Sequence, residues 1–357
     1  MKYLDEFRDR NLAQKLISKI KNFKKEVKIM EVCGTHTVNF FRFGLHNLIP
    51  PNVKIISGPG CPVCVTSQKD IDYAVELSNF ASILTYGDMM RVPGTRSSLE
   101  KEKAKGKDIR VIYSAYDVLK IVEKEKGKNF VFFAIGFETT APATAFLLCE
   151  MKKNNIKNLK IFCCHKLIPP AMKAICEGQI KINAFLCPGH VSTIIGETPY
   201  YEIAEKYKIP CIITGFEAID ILFGITKAIE LIEKGDYIVF NAYKRAVRKK
   251  GNERALELLE EVFDKVDAEW RGLGVIPESG YSIKEEFKDF DVRNFFNFKI
   301  ESYEYPGCRC GDVLKGLVEP TECPHFGKNC TPENPLGPCM VSSEGTCAAY
   351  YKFKLSL

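Results

Sequence analysis

The 357-residue sequence contains no apolar run long enough to cross a bilayer. Its opening residues, Met1-Lys2-Tyr3-Leu4-Asp5-Glu6, lack the apolar core of a secretory signal. It carries no nucleic-acid-binding module. The formal net charge is +6, but Lys and Arg are interspersed with Asp and Glu. The densest basic run, Lys244 to Lys250, reads as a solvated helix face. The loop Gly58-Pro59-Gly60-Cys61-Pro62 lacks the Lys and the Ser or Thr of a P-loop, which excludes a phosphate cradle there. No oxyanion-hole motif is evident, which counts against a thiol protease or acyl-transfer enzyme built on Cys33 with His36 or His190. These absences suggest a cytoplasmic protein with no membrane or nucleic-acid partner, in a compartment that keeps thiols reduced.

What the chain has in excess is cysteine, fifteen in all. In a reducing compartment, clustered cysteines point to metal binding or redox chemistry rather than to structural disulfides. The rest of the composition is ordinary for a globular protein, and the length suggests two or three domains.

The pattern along the chain is of short apolar runs that end in Gly-, Cys- or His-bearing loops. Residues 1–26 read as a charged amphipathic helix with Leu12, Leu16, Ile17 and Ile20 on one face. Strands are expected at Val27 to Val32, Val53 to Ser57, Ser82 to Tyr86 and Ile109 to Tyr113. A second series is expected at Asn129 to Ile135, Leu159 to Cys163, Ala184 to Cys187 and Cys211 to Thr214. Helical stretches such as Tyr116 to Glu125 and Ile219 to Lys234 alternate with them. This alternation implies α/β packing around parallel sheets. The expected architecture is two parallel-sheet α/β lobes flanking a cleft, plus a small cysteine-rich iron–sulfur module. The expected division is an N-terminal helix at 1–26, one lobe at 27–125, a second at 126–250 and a helical and cluster-bearing region at 251–357. Gly-Phe-Glu occurs at both 136–138 and 215–217, a short repeat that hints at related βα turns.

From Pro306 onward the composition changes. Cys308, Cys310, Cys323, Cys330, Cys339 and Cys347 lie among many Gly and Pro. Four thiolates can hold a 4Fe–4S cluster or a tetrahedral zinc. Zinc modules show paired Cys-x-x-Cys knuckles, and the long uneven spacings here favour the cluster. Cys323, Cys330 and Cys347 are the firmest ligands. The fourth is Cys308 or Cys310, only one of which is expected to bind, with Cys308 preferred. Cys339 is left as a core residue or a redox-active thiol beside the cluster.

Cys61-Pro62-Val63-Cys64 is a Cys-x-x-Cys pair after a buried strand. Such pairs either exchange between dithiol and disulfide or chelate a metal. Cys33 and His36 occupy a comparable loop and can face one ligand or metal, or act as nucleophile and base. Glu138, Glu217 and His190 fall at strand ends, where acid–base or hydrogen-bonding roles compete with helix capping. Thr139 and Thr140 are candidate caps. Cys149, Cys163, Cys164, Cys176 and Cys211 sit in apolar surroundings and read as core. Cys187 is less clear, since Pro188-Gly189-His190 follows it.

Taken together, these motifs resemble the HypD family of hydrogenase maturation proteins. The resemblance rests on Glu31-Val32-Cys33-Gly34-Thr35-His36-Thr37, Gly58-Pro59-Gly60-Cys61-Pro62-Val63-Cys64-Val65-Thr66, Gly136-Phe137-Glu138-Thr139-Thr140-Ala141-Pro142 and Cys187-Pro188-Gly189-His190-Val191-Ser192. A fifth motif is Met340-Val341-Ser342-Ser343-Glu344-Gly345-Thr346-Cys347-Ala348-Ala349-Tyr350-Tyr351. They span essentially the whole chain in order. The resemblance implies a factor that helps build the Fe(CN)2CO part of nickel–iron hydrogenase. It implies a C-terminal 4Fe–4S cluster, a complex with the small chaperone HypC and cyanide delivery by a HypE–HypF pair. By the same resemblance Cys33, Cys61 and Cys64 are the required thiols outside the cluster, with His36 nearby. Cys33 would hold the iron together with a thiol of HypC. Soft thiolates suit low-spin iron carrying cyanide and CO. Such a protein is a scaffold or redox-active assembly factor rather than a conventional turnover enzyme. The competing reading is a cluster-fed thiol–disulfide reductase.

Overall fold

The computed structural model describes residues 9–354. The N-terminal helix spans Arg10–Asn22, capped by the Asp9 carboxylate, which accepts from the Asn11 and Leu12 N–H groups. Leu16 and Ile20 are buried and Ile17 packs beside them, whereas Leu12 is exposed. The helix therefore ends earlier than expected. Residues 1–8 of the expected helix lie outside the described residues.

Eleven strands follow among the described residues: β1 (Val27–Glu31), β2 (Val53–Ser57), β3 (Ser82–Tyr86), β4 (Ile109–Ile112), β5 (Phe130–Gly136), β6 (Leu159–His165), β7 (Ala184–Pro188), β8 (Cys211–Thr214), β9 (Val239–Asn241), β10 (Phe263–Trp270) and β11 (Gly274–Ile283). One sheet has the order β2-β1-β7-β8-β9 and a second has the order β4-β3-β5-β6. All pairs in both are parallel. The fold is thus α/β with two parallel sheets. Strand β5 is buried along its whole length, and β6 nearly so. That is why they read as continuous apolar runs rather than alternating ones.

The sheets do not follow the expected division at residue 125. The chain lays down β1 and β2, leaves to build the whole second sheet, and returns to the first for β7 to β9. Local patterning cannot reveal this, because a βα unit looks the same whichever sheet receives it. The two Gly-Phe-Glu turns follow β5 and β8, the third strand of one sheet and the fourth of the other in chain order. They are not equivalent positions of a duplicated unit.

In the region from residue 251, expected to be helical, a helix spans Glu253–Val262, but Phe263 then begins the antiparallel hairpin β10-β11. The hairpin bridges to segments that follow a strand of each parallel sheet, through Thr66–Trp270 and Lys166–Gly280 pairings. One apolar core joins the inner faces of both sheets to Cys310, Leu314 and Cys339 of the C-terminal segment.

Candidate functional site

In parallel sheets, ligands bind beyond the carboxyl ends of the strands, at the point where the strand order reverses. In the first sheet that point lies between β1 and β7. Cys33 follows β1, Cys61 follows β2, His190 follows β7 and Gly215-Phe216 follows β8. Cys33 is the N-cap residue of the helix Gly34–Arg42, and Cys61 is the N-cap residue of the short helix Pro62–Val65.

The two cysteine loops touch through backbone. Gly34 N–H donates to Gly60 O at 2.9 Å. A β-carbon on Gly60 would stand 2.1 Å from Cys33 N. Only glycine allows this approach. On its other side the Cys33 loop meets the C-terminal segment. A β-carbon on Gly34 would meet the Glu344 side chain at 2.5 Å, and Thr35 Oγ1 donates to Glu344 Oε1 at 2.7 Å.

Cys33 is buried. Burial, with Glu344 and Glu31 adding negative charge, pushes its thiol up to about 12, while the N–H groups of His36 and Thr35 oppose the shift. Glu31 is itself buried, and burial pushes its carboxyl up to about 7. It accepts from Cys33 N–H at 2.9 Å and from the Thr37 hydroxyl. His36 contacts Gly215 O through Nε2 at 2.9 Å. A carbonyl only accepts, so Nε2 carries the proton and Nδ1 is the bare nitrogen. That Nδ1 is buried without a partner, and burial lowers the imidazole to about 4, which keeps it neutral. Phe216 lies between His36 and His190, with ring centroids 4.7 Å and 3.9 Å away. Sequence reasoning gave Phe216 no role of its own; a lone aromatic after a strand carries no distinguishing signal.

Cys61 and Cys64 are joined by a disulfide, Cα to Cα 5.2 Å, and both are buried. Cys64 Sγ lies 3.9 Å from Pro338 O. Pro338 precedes Cys339, whose sulfur is 2.8 Å from that of Cys310. The cysteine segments that are far apart in sequence are therefore neighbours in space.

The profile of the HypD family, described as "Hydrogenase formation hypA family", matches residues 10–354. The chain belongs to the HypD family. It is 43% identical over 368 residues to hydrogenase maturation factor HypD2 of Bradyrhizobium diazoefficiens, covering 99% of this chain and 97% of that protein. It is 42% identical over 368 residues to hydrogenase maturation factor HypD of Cupriavidus necator, covering 99% and 97%.

The remaining cysteines of this HypD-family chain fall into distinct settings. Cys308, Cys323, Cys330 and Cys347 line one pocket with Cys310 and Cys339. Among the described residues, no three or more His, Cys, Asp or Glu side chains are grouped as for a single metal ion. Cys310 and Cys339 are the deeply buried pair, turned to each other; Cys308, Cys323 and Cys347 are half-buried. Cys330 Sγ receives the Leu336 N–H at 3.4 Å, and a β-carbon on Gly337 would press on Cys308 Sγ at 2.9 Å. Cys163, Cys164, Cys187 and Cys211 are buried among strand residues, and Cys149 and Cys176 are half-buried.

Glu138 lies apart from these thiols. It follows β5 of the second sheet, accepts from Ile168 N–H at 3.0 Å and lines a pocket that contains no cysteine. Glu217 is the N-cap residue of the helix Ala218–Lys234, in a reciprocal box with Asp220. Thr140 is the N-cap residue of Ala141–Lys153, but its hydroxyl donates back to Phe137 O rather than accepting from the helix.

Proposed function

We propose that the chain serves hydrogenase maturation by holding an iron ion at Cys33, as the substrate on which the Fe(CN)2CO unit is built. The observation that carries this reading is the convergence of Cys33, the Cys61–Cys64 pair and the C-terminal cysteine segment, through the close approaches at Gly34 and Gly60 and the contact of Cys64 Sγ with Pro338 O. Three thiol-bearing segments packed this closely serve a shared chemistry better than three separate ones.

Two carboxyls and deep burial oppose a free thiolate at Cys33, so it keeps its proton until a cation offsets that charge. Iron supplies the charge: the S–H bond breaks, an S–Fe bond forms and a proton is released. The Thr35 and His36 N–H groups then face the bound sulfur. A second thiol, from the partner HypC, completes the hold, and the HypE–HypF pair delivers cyanide. Opening the Cys61–Cys64 disulfide takes two electrons and two protons and yields two thiols beside the iron.

The donor set beside that pair fits a 4Fe–4S cluster, with Cys308, Cys323, Cys330 and Cys347 as ligands. The engagement of Cys310 with Cys339 supports Cys308 as the fourth ligand. When bound, such a group supplies electrons one at a time. Cys339 and Cys310 lie on the protein side, toward Cys64. The reductase reading is less well supported, because both members of the Cys61–Cys64 pair are buried and a thiol that reduces foreign disulfides needs access. A cytoplasmic setting suits this role; among the described residues no helix is long and apolar enough to cross a membrane.

The test is maturation of nickel–iron hydrogenase in a host that lacks its own HypD-family protein. Cys33→Ala is expected to yield no active hydrogenase while the protein itself accumulates normally. Normal maturation by that variant would remove the proposal.

A further inference from the structure

The pocket at Glu138 is separate from the thiols and has its own chemistry. It is a cavity of about 890 Å³ beyond the carboxyl end of β5. Part of its lining, Glu138, Leu167, Pro169 and Pro170, follows β5 and β6, at the carboxyl ends of parallel strands, where ligands bind. Its size suits a small-molecule or side-chain guest.

Glu138 is only 2% exposed. Its Oε1 accepts from Ile168 N–H, but its Oε2 is buried with no partner. An orphaned buried carboxyl oxygen is costly in either protonation state, since a carboxylate lacks a donor and an acid lacks an acceptor. The walls combine apolar surface from Pro169, Pro170, Leu256, Phe263 and Tyr281 with an acidic excess of six glutamates over three lysines. Two of those lysines are already bound to glutamates of the same pocket, Lys173 to Glu202 at 2.6 Å and Lys250 to Glu253 at 3.4 Å, and the third, the exposed Lys265, lends Glu138 positive charge without a hydrogen bond to Oε2. Oε2 still lacks a hydrogen-bond donor, and the acidic excess and apolar walls favour a cationic donor on an apolar stem.

We propose that this pocket binds an ammonium or guanidinium group carried on an apolar stem, with Glu138 Oε2 as its acceptor. The group comes either from a free small amine or from a Lys or Arg side chain of a partner protein. The inference does not depend on the role of Cys33.

Calorimetric titration of the full-length protein tests it. The probes are n-butylguanidinium, n-butylammonium and, as a neutral control of the same stem, n-butanol. Both cations are expected to bind at least about tenfold more tightly than butanol, the effect of one charge-assisted hydrogen bond. Glu138→Gln should erase that difference. Thr198→Trp, placed on the exposed rim, should fill the mouth and weaken all probes without touching Glu138; it keeps the test decisive should Glu138→Gln fail to fold. A blocked Ala-Arg-Ala peptide separates the sources. Tighter binding than butylguanidinium assigns the guest to a partner's side chain, and weaker binding assigns it to a free amine. Cys33→Ala should bind every probe like the parent, so this result and the maturation result fail independently. Equal binding of butanol and the cations, cation binding unchanged in Glu138→Gln, or no binding by the parent would each overturn the proposal.

Discussion

Replacing Gly60 by Ala probes the contact that joins the two cysteine loops. The added carbon would stand 2.1 Å from Cys33 N, 2.3 Å from Val32 C and 2.5 Å from Cys33 Cα. All three are backbone atoms, so no side-chain rotation relieves the clash. One loop must back away by more than about 1 Å to restore ordinary carbon contacts of about 3.5–4.0 Å. That movement breaks the Gly34–Gly60 hydrogen bond, worth about 1 kcal/mol net. Overpacking adds about 1–3 kcal/mol. The combined cost of about 2–4 kcal/mol falls on the Cys33 pocket. Alkylation of Cys33 by iodoacetamide, read by peptide mass spectrometry, reports its opening. At the lower bound of about 2 kcal/mol, labelling should accelerate roughly 30-fold, since about 1.4 kcal/mol is tenfold. The melting temperature should drop by several degrees. A Gly60→Ala protein with parental labelling and parental melting would refute the argument that this glycine staples the site.

Three further outcomes follow from the same geometry. Burial pushes the Glu138 carboxyl up to about 7, so it holds its proton more tightly folded than unfolded. Its contribution is full below the ordinary value of 4.5 and is lost as pH rises through about 7. The melting temperature of Glu138→Gln should accordingly fall less between about pH 5 and 7.5 than that of the parent, and parallel curves would contradict the assignment. Anaerobically purified Cys323→Ala and Cys330→Ala should lose most inorganic sulfide, whereas Cys310→Ala should retain it; loss in all three would end the distinction drawn between the Cys310–Cys339 pair and the other four. Arg271 is buried and donates to Gln68 Oε1 at 2.6 Å and Thr66 O at 3.2 Å, pinning the segment after Cys64 to the hairpin. Arg271→Met should cost about 3 kcal/mol, from two charge-assisted bonds, in a denaturant melt, and a loss under about 0.5 kcal/mol would sink that role.

The strands and their loops were legible because fully buried parallel strands leave unbroken apolar runs that stop at Gly, Cys or His. Val53–Ser57, Ser82–Tyr86 and Cys211–Thr214 have the bounds the sequence suggested. The hairpin was not legible. Phe263-Asp264-Lys265-Val266-Asp267-Ala268-Glu269-Trp270 follows an amphipathic helix without a Gly or Pro break, and its charged alternation resembles continued helix. The assignment of strands to sheets was likewise hidden, since it depends on long-range pairing. Cysteine identity marked the thiol site, but the pairing of Cys310 with Cys339 was hidden, because it depends on long-range folding across a sequence separation of 29. Glu138 read as one of several strand-end acids, and only its separation from the thiols gave it a pocket of its own.

The central claim is that Cys33 holds the iron that receives cyanide and CO. The direct measurement is the infrared spectrum of the protein co-produced anaerobically with its maturation partners, in the region of C≡N and C≡O stretching. The parent should show these bands. Cys33→Ala should show none, while its inorganic sulfide content stays at the parental level. Persistence of the bands in Cys33→Ala would place the iron on other ligands and contradict the account.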